Sequence, residues 1–544
     1  MGVELRPSPV VAVVRRARMM DPMQPDMPEA DAGAEVLIVG GGPVGLTARA
    51  LLERWGVRTL LVEKHRELSP FPRSRLINVR TMEIFRQLEL AERITAAAFA
   101  PEYGRIRFRD TLHAPDFASA AMIGVNGPVP ESPVTGVVTS QDRLEPTLLG
   151  AAASEVRFGA ELLDLAEEDG SVVALLADRG SGEHTRVRAR YVLAADGANS
   201  TVRERLGIGT EGPGAVGRVT TVVFDADLGH WSARQPAGVY LTSQGSFLPL
   251  YPEGGWAWFT PTPEDPDGTD WPRLVARSLG AEAKVDILRV QHWAVNAFVA
   301  ERFRRGRTLL AGDAAHAIPP AGGLGMNLGV ADVHNLCWKL AGVLRGWAGP
   351  ALLDSYEKER RPVAHRTLGQ ALENAKMMFQ VQDVRREQLG AGAAQTPDRI
   401  EPPWSEQYFA QLGLVLGVAY RSGAVLTGDG TATMPPETGT TYVPTAEPGH
   451  RVPHLWLTDG RSTLDAFGEW FTLLTSAPAD WRSPATPPWP LRVEPLPAEH
   501  TDQWDLPPQG ALLVRPDGHI AARWSDGPPG DGTLHDALTA ITTR

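Results

Sequence analysis

The feature that most constrains this chain is a glycine-rich loop between a short apolar strand and a helix. Residues 35–39 have the pattern of a buried strand, and Gly40, Gly42 and Gly45 follow in the spacing Gly-x-Gly-x-x-Gly. A second apolar strand ends at Glu63. Glycines let backbone N–H groups approach a pyrophosphate at a helix N-terminus, and the later carboxylate accepts a hydrogen bond from a ribose hydroxyl. This unit predicts a dinucleotide-binding domain, without distinguishing FAD from NAD.

A second segment of the same kind delivers an acid to a tight turn. The apolar strand 191–195 leads into Asp196 and Gly197, and Ser200 and Arg203 follow. Taken alone, the segment is equally well explained by Asp196 capping the next helix.

A third segment combines an acid with a glycine-rich loop. A buried strand over 308–311 ends in Gly312 and Asp313, and paired prolines and repeated glycines precede a helix that begins at Asn327. Glycines permit close approach to a flat or phosphorylated ligand, and a helix N-terminus favours negative charge. The loop therefore predicts a ligand site. His316 is a candidate base, although in this motif a structural role behind the loop is favoured.

The three segments, in this order and spacing, resemble the FAD-dependent aromatic hydroxylases, which are single-component flavoprotein monooxygenases of the para-hydroxybenzoate hydroxylase fold. The resemblance covers residues 34–390. Segments 448–454 and 465–468 resemble the thioredoxin-like appendage of larger members, such as phenol hydroxylase and the aromatic polyketide hydroxylases. The one cysteine, Cys337, lies outside this appendage, which therefore cannot perform dithiol chemistry.

The predicted fold class is α/β. A Rossmann-like FAD-binding domain carries an inserted antiparallel β-sheet substrate domain and is followed by a C-terminal thioredoxin-like α/β domain. Apolar spacing also predicts one helix over 80–94. The expected boundaries are a disordered leader at 1–33, the FAD-binding domain at 34–205 and 292–395, the β-sheet domain at 206–291, and the C-terminal domain at 396–544.

The resemblance also implies a cofactor site. Arg73 is assigned to the arginine that contacts FAD, with Arg75 as its rival, and Gln141 and Asp313 are assigned to the ribityl chain. Three residues are expected at the reactive ring: Pro320 through its carbonyl, and Met326 and Asn327 through their backbone. The full set expected to bind FAD is Gly40, Gly42, Pro43, Val44, Gly45, Glu63, Lys64, Arg73, Gln141, Asp196, Gly197, Gly312, Asp313, Pro320, Gly323, Gly325, Met326 and Asn327.

The implied reaction is that of the cofactor. NAD(P)H, with NADPH favoured, reduces FAD, the reduced flavin takes up O₂, and a flavin C4a-hydroperoxide transfers OH to an electron-rich aromatic carbon. No second Gly-x-Gly-x-x-Gly lies between a predicted strand and a predicted helix, as a nicotinamide-binding domain would require; the same spacing at 207–212 and 212–217 precedes a predicted strand instead. This agrees with the family, whose members bind NAD(P)H transiently, and argues against the disulfide reductases with two dinucleotide domains.

The aromatic strands over 215–300 suggest a roof for a polycyclic ligand. Phe247, Trp256 and Trp258 are expected to bind substrate, although a core position is favoured for each taken singly. The resemblance implies a polycyclic aromatic polyketide of secondary metabolism as the substrate. A Baeyer–Villiger or ring-opening oxidation, the inactivation of an antibiotic, and a non-catalytic flavin-binding role remain alternatives.

Composition excludes several other classes. The formal charge of −12 has the wrong sign for a nucleic-acid-binding protein, and no apolar run has the length of a membrane span. A single cysteine rules out an intrachain disulfide or a cysteine-based zinc cluster. These features favour a cytoplasmic enzyme without a metal, as a monomer or homodimer.

Overall fold

The computed structural model describes residues 32–122, 124–390, 400–401, 411–427, 441–457, 460–481, 488–530 and 532–544. The leader expected at 1–33 lies almost wholly outside these residues. The domain boundary expected at 395–396 lies outside them as well. None of the described helices is both long and apolar enough to cross a membrane.

The strands follow in chain order. They are β1 (Ala32–Val39), β2 (Thr59–Glu63), β3 (Leu76–Ile77), β4 (Arg105–Arg109), β5 (Asp116–Ala121), β6 (Val137–Val138), β7 (Glu155–Phe158), β8 (Ala160–Glu168), β9 (Ser171–Asp178), β10 (His184–Ala194), β11 (Thr210–Asp225), β12 (Val239–Thr242), β13 (Gly245–Tyr251), β14 (Gly254–Pro261), β15 (Asp286–Ala300), β16 (Arg304–Arg305), β17 (Thr308–Leu310), β18 (His316–Ala317), β19 (Phe471–Thr475), β20 (Leu491–Pro495), β21 (Ala511–Val514) and β22 (Ile520–Trp524).

The helices are interspersed among them. The α-helices are α1 (Pro43–Arg54), α2 (Val79–Gln87), α3 (Ala91–Ala96), α4 (Gln141–Leu149), α5 (Thr201–Arg205), α6 (Gly229–Arg234), α7 (Trp271–Leu279), α8 (Gly325–Arg345), α9 (Asp354–Gly390), α10 (Leu412–Val415), α11 (Ala498–Thr501) and α12 (Thr533–Thr542). Short 3₁₀ turns occupy Pro101–Tyr103, Gly312–Ala314, Pro350–Leu353, Thr463–Ala466 and Asp502–Trp504.

The predicted helix over 80–94 is in fact two helices. α2 ends at Gln87, and Glu89 takes a positive φ of 63° before α3 begins. A side chain in this left-handed region cannot continue a right-handed helix, so the chain turns here. Apolar spacing continues across the turn because both helices face the same core.

The first sheet confirms the Rossmann-like prediction. Its order is β16-β17-β10-β1-β2-β7, and β9 and β8 continue from β10. β1 pairs in parallel with β2 and β10, and β10 pairs in parallel with β17. The three loops singled out in the sequence follow β1, β10 and β17. Because these strands are parallel neighbours, the loops meet at one edge of the sheet.

The second sheet confirms the predicted β layer and extends it. Its order is β18-β15-β11-β14-β13-β12-β4-β5, with long antiparallel pairing of β11 to β15 and to β14. β12 and β4 pair in parallel, so the sheet is not purely antiparallel. β4 and β5 come from residues expected in the FAD-binding domain. This pairing joins strands far apart in sequence, which local patterns do not reveal.

The C-terminal unit is built on a smaller sheet of order β20-β19-β21-β22. β19 pairs in parallel with β20 and antiparallel with β21, and β21 and β22 form the predicted hairpin. This mixed sheet is consistent with the predicted thioredoxin-like unit.

Buried ion pairs hold the C-terminal unit against the FAD-binding domain. Glu359 of α9 accepts from Arg515 at 2.7 and 2.9 Å, and from Lys339 of α8 at 2.7 Å. A second pair joins Glu83 of α2 to Arg451 through two hydrogen bonds. All of these groups are almost completely buried. The C-terminal unit therefore packs against the FAD-binding domain through a buried, charge-paired interface.

Candidate active site

The loop after β1 has the shape of a phosphate-binding turn. Gly40 has a φ of +110°, and a Cβ there would overlap the carbonyl of Ala195. A Cβ on Gly45 would overlap the carbonyl of Gly40, so helix and loop lie as close as glycine allows. No described atom lies within 4 Å of the Cβ position of Gly42, and no described side chain caps the α1 N-terminus there. The free N–H groups therefore face open space that suits a pyrophosphate.

Glu63 ends β2 directly beside this loop. Its Oε2 accepts from the Gly41 N–H at 2.7 Å, and its Oε1 accepts from the His65 N–H at 2.8 Å. The backbone thus fixes the carboxylate at the position where a ribose is predicted. Lys64 is exposed next to it. Contacts of Glu63 and Lys64 with a ribose stay predictions.

The turn after β17 is anchored from behind by a buried carboxylate. Asp332 of α8 accepts from the Gly312 N–H at 3.1 Å, and its Oδ2 lies 2.5 Å from Nε2 of His316. Arg360 donates to Asp332 Oδ1 at 2.8 Å and to the hydroxyl of Tyr420 at 3.0 Å. His316 is completely buried in this network. This is the structural position that the sequence favoured over a role as base.

Asp313 faces an internal cleft. Protein surrounds it, and this burial raises the pKa of its carboxyl, yet its side chain stays accessible to solvent. Arg73 opposes the rise, so its guanidinium lies near this carboxyl. Arg73 is exposed toward the cleft, whereas Arg75 is buried and donates to the carbonyl of Gly238 at 2.9 Å. The placement supports Arg73 over Arg75 as the cofactor contact.

Gln141 lies where α4 begins, on the same cleft. Its Oε1 accepts from the Ser74 N–H at 3.2 Å, and its Nε2 donates to Glu145 at 2.7 Å. Glu145 also accepts from the Ser69 N–H at 3.1 Å, and burial raises its pKa to about 7. Glu145 was not among the residues predicted from the sequence. Its signal was the spacing of four residues from Gln141 on one helix face.

Asp196 makes the contacts expected of a capping residue. Its carboxylate accepts from the hydroxyl of Ser200 at 2.6 Å and from the N–H of Val202 at 3.1 Å, in the first turn of α5. Gly197 has a φ of +85°, which favours glycine. The cap residue of α5 is nevertheless Ser200, whose hydroxyl accepts from the Arg203 N–H at 3.0 Å, so Asp196 supports the cap rather than forming it. A contact of Asp196 or Gly197 with cofactor stays a prediction.

The glycine loop before α8 is held open toward the cleft. The side chain of Asn327 accepts from the Asn78 N–H at 2.9 Å and donates to the carbonyls of Leu76 and Gly323 at 2.8 and 2.7 Å. These bonds occupy its amide, which leaves only its backbone for a ligand. Pro320 is exposed at the other end of the loop.

Further loop residues complete this wall. Gly323 has a φ of +65° and packs against Leu76, while the Cβ position of Gly325 lies 3.9 Å from an oxygen of Asp313. Met326 is half-buried in the first turn of α8, whose N-terminus no described side chain caps. An uncapped helix start favours the negative charge that a reduced flavin carries on its pyrimidine ring.

The residues that line this site fit the chemistry of FAD. A free helix N-terminus stands at one end of the cleft, Arg73, Gln141 and Asp313 lie along it, and a second free helix N-terminus closes the other end. Val44 packs between the two ends, since its side chain contacts the Cβ position of Gly312.

The aromatic residues assigned to substrate lie on the outer face of the second sheet. Phe247, Trp256 and Trp258 are buried in one cluster with Val275 and Leu279 of α7. This is the core position that the sequence favoured for each residue singly. Their packing away from the cofactor loops does not support a role in substrate binding, which stays an untested prediction.

The opposite face of the sheet looks toward the FAD-binding domain. Side chains alternate along a strand, so Phe259 points opposite to Trp258. Phe259 contacts Trp293 edge to face at 6.3 Å, and the Trp293 indole donates to the hydroxyl of Thr221 at 2.9 Å. On the same face Arg289 donates to the carbonyl of Pro70 at 2.9 Å. Phe259 and Trp293 are only half-buried.

Comparison with known proteins agrees with this geometry. A family model described as an FAD binding domain matches residues 33–371, and one described as the C-terminal part of aromatic-ring hydroxylases matches residues 445–544. The chain belongs to the FAD-dependent aromatic-ring hydroxylases. The hydroxylase is therefore an FAD-dependent monooxygenase, as the three sequence segments predicted.

Its relatives cover nearly the whole chain. The hydroxylase is 35% identical to tetracenomycin B2 monooxygenase-dioxygenase of Streptomyces olivaceus, over 94% of this chain and 98% of the relative. Among solved structures, the flavin-dependent monooxygenase PieE in complex with FAD and substrate has a TM-score of 0.84 and 33% identity, over 94% of this chain and 100% of that one. A ternary complex of aklavinone-11 hydroxylase with FAD and aklavinone has a TM-score of 0.79 and 32% identity, over 95% of this chain and 100% of that one.

Proposed function

We propose that the hydroxylase introduces oxygen into a polycyclic aromatic polyketide in a pathway of secondary metabolism. The supporting observation is the cleft between two walls of different chemistry. We assign one wall to the glycine loop with the uncapped α8 N-terminus, and the other to the inner sheet face, where Phe259 and Trp293 pack against each other. A flat aromatic ligand suits the space between a flavin and such an apolar face. Two of the similar proteins are named for ligands of this class, tetracenomycin B2 and aklavinone.

The residues of the cleft divide the work between them. Bound FAD supplies the activation of O₂ with electrons from NAD(P)H. The α1 N-terminus would hold the negative pyrophosphate, Arg73 would contact the cofactor beside Asp313, and Gln141 and Asp313 would hold the sugar alcohol chain. The α8 N-terminus stabilises negative charge at the reacting ring, and the inner sheet face excludes water. A phenolic substrate activates its own ring by losing a proton, so the proposal needs no catalytic triad.

The experiment is reconstitution followed by product analysis. Purified protein loaded with FAD is expected to oxidise NADPH faster when tetracyclic and tricyclic phenolic polyketides are added, with O₂ consumed in step. No stimulation across such a panel would refute the proposal. Failure to take up FAD would refute the cofactor site itself.

The outcome at the ring carbon needs a separate measurement. Hydroxylation and Baeyer–Villiger insertion add the same mass, so an NMR structure of the product distinguishes them, and a ring-opened product would favour the second. NADPH as the preferred reductant, a cytoplasmic location and a monomeric or homodimeric state complete the proposal.

A further inference from the structure

Arg75 is a buried charge that the cofactor site does not use. Its side chain is almost fully buried, and Nη1 donates a hydrogen bond to the carbonyl of Gly238 at 2.9 Å. Nε and Nη2 are buried without a hydrogen-bond partner among the described residues. The guanidinium lies 5.5 Å from the centre of the Phe99 ring, a weak compensation for a buried charge.

The surroundings of Arg75 contain two more unused polar atoms. The Thr139 N–H donates to the Arg75 carbonyl at 3.0 Å, so the segment before α4 runs beside Arg75. In that segment the hydroxyl of Ser140 is buried and unpartnered in the described part of the chain, although Ser140 stands at the cap position of α4. Oδ1 of Asp142 is likewise buried without a described partner, while Oδ2 accepts from Tyr251 at 2.5 Å.

Among the described residues, no carboxylate makes a hydrogen bond to the guanidinium of Arg75. Asp142 and Tyr251 act on it electrostatically, yet no hydrogen bond joins either of them to its guanidinium. Burial lowers the pKa of Arg75 to about 9, so the side chain stays charged at neutral pH. Burying an unpaired charge is strongly unfavourable for folding. A site that retains such a cost usually serves a ligand.

The position of Arg75 indicates which ligand. Arg73 turns toward Asp313 and the cofactor cleft, and Leu76 packs against the flavin loop at Gly323. Arg75 instead reaches Gly238, just before β12 of the substrate sheet. Its guanidinium therefore lies against the second sheet, on the side of the segment 73–75 away from Arg73.

We propose that Arg75 and Ser140 bind an anionic oxygen of the aromatic substrate, namely a phenolate. The inference rests on the proposed function and adds the group by which the substrate is recognised. A charge-assisted hydrogen bond stabilises the phenolate relative to the phenol, and the phenolic proton leaves to the buffer on binding. The bound phenolate is the more electron-rich ring, which is the form that accepts an electrophilic oxygen.

The test uses FAD-loaded enzyme without reductant and 1,8-dihydroxyanthraquinone as probe, at pH 6.5, where its hydroxyls are neutral in solution. Wild type is expected to bind the probe with the visible spectrum of its anion, and to bind the dimethyl ether of the probe at least tenfold more weakly. Arg75→Met is expected to bind the probe at least tenfold more weakly with the neutral spectrum. Arg75→Lys is expected to restore part of the anion spectrum. Arg143→Met, which removes a nearby paired arginine on α4, is expected to behave as wild type.

Stability separates a ligand site from a structural role. Because Arg75 is unpaired, Arg75→Met is expected to leave the Tm of the substrate-free protein unchanged or higher. A clear fall in Tm, or unchanged probe affinity and spectrum in Arg75→Met, would overturn the inference. So would a wild type that never shows the anion spectrum. These outcomes are independent of the proposed function, which fails instead if the polyketide panel leaves NADPH oxidation unchanged.

Discussion

Replacing Glu359 by Gln is expected to destabilise the hydroxylase by removing the charge at the centre of a buried ion-pair cluster. The carboxylate accepts from Arg515 and Lys339, and also from Asn335 at 2.6 Å and Ser422 at 2.5 Å. These partners outweigh burial and lower the pKa of Glu359 from 4.5 to about 2. A shift of 2.5 units at 1.36 kcal/mol each corresponds to about 3 kcal/mol of folding stability at pH 7. Breaking a buried pair at one partner costs a similar amount, about 3–5 kcal/mol.

The pH dependence has a definite sign. A carboxyl whose pKa is lower in the folded state stabilises the fold fully above its unfolded pKa of 4.5, and this contribution is lost as the pH falls toward 2. The deficit of Glu359→Gln relative to wild type should therefore shrink from about 3 kcal/mol at pH 7 to about 2 kcal/mol at pH 3.5.

Urea unfolding of the FAD-loaded enzyme, followed by tryptophan fluorescence at both pH values, measures this difference. Asp383→Asn is the matched control on the same helix, because Asp383 pairs with Arg386 on the exposed surface. Its effect should stay within about 0.5 kcal/mol. If Glu359→Gln unfolds at the same urea concentration as Asp383→Asn, or its deficit grows in acid, the reasoning is wrong.

Three further predictions concern the cofactor cleft and the sheet. In a fluorescence titration, Gly42→Leu should fold but raise the Kd for FAD at least tenfold, because the leucine side chain fills the open space beside the α1 N-terminus. The control Gly369→Leu, at an exposed position of α9, should bind FAD as wild type does. The pKa of Glu145 is raised from 4.5 to about 7, so its carboxylate opposes folding as the pH rises through 7. Glu145→Gln should then be more stable than wild type by about 3 kcal/mol at pH 8.5 and by less than about 1 kcal/mol at pH 5, and an equal gain at both would refute this. Trp258→Ala should lose about 3–5 kcal/mol of stability in urea, whereas Phe259→Ala should instead weaken binding of 1,8-dihydroxyanthraquinone; the reverse pattern would show that the outer face binds substrate.

The cofactor half of the site was predictable because its requirements are local. Gly40 and Gly45 stand where any side chain would overlap backbone, and such positions leave glycine in the sequence. The acids at Glu63 and Asp313 directly follow apolar strands, and parallel strands bring their ends to one edge. Short sequence segments are thus sufficient to predict the residues at this edge of the sheet.

The substrate half was less predictable because it depends on which face of a strand is inside. The strand over 254–261 carries aromatic residues on both faces, and only tertiary packing shows that α7 covers Trp256 and Trp258 while Phe259 packs against Trp293 on the other face. Glu145 was not predicted, and Arg75 was considered only as a rival for the FAD contact, for a related reason. Their significance comes from burial and missing partners, which a single sequence does not display.

The two ion pairs that lock the C-terminal unit have a consequence for recombining enzymes of this family. A chimera that joins the first 390 residues of one hydroxylase to the C-terminal unit of another would separate Glu83 from Arg451 and Glu359 from Arg515. A pair that does not re-form would leave an arginine or a glutamate buried at the domain interface without an opposite charge. A chimera should therefore fold stably only when it retains both ion pairs, whatever substrate it binds.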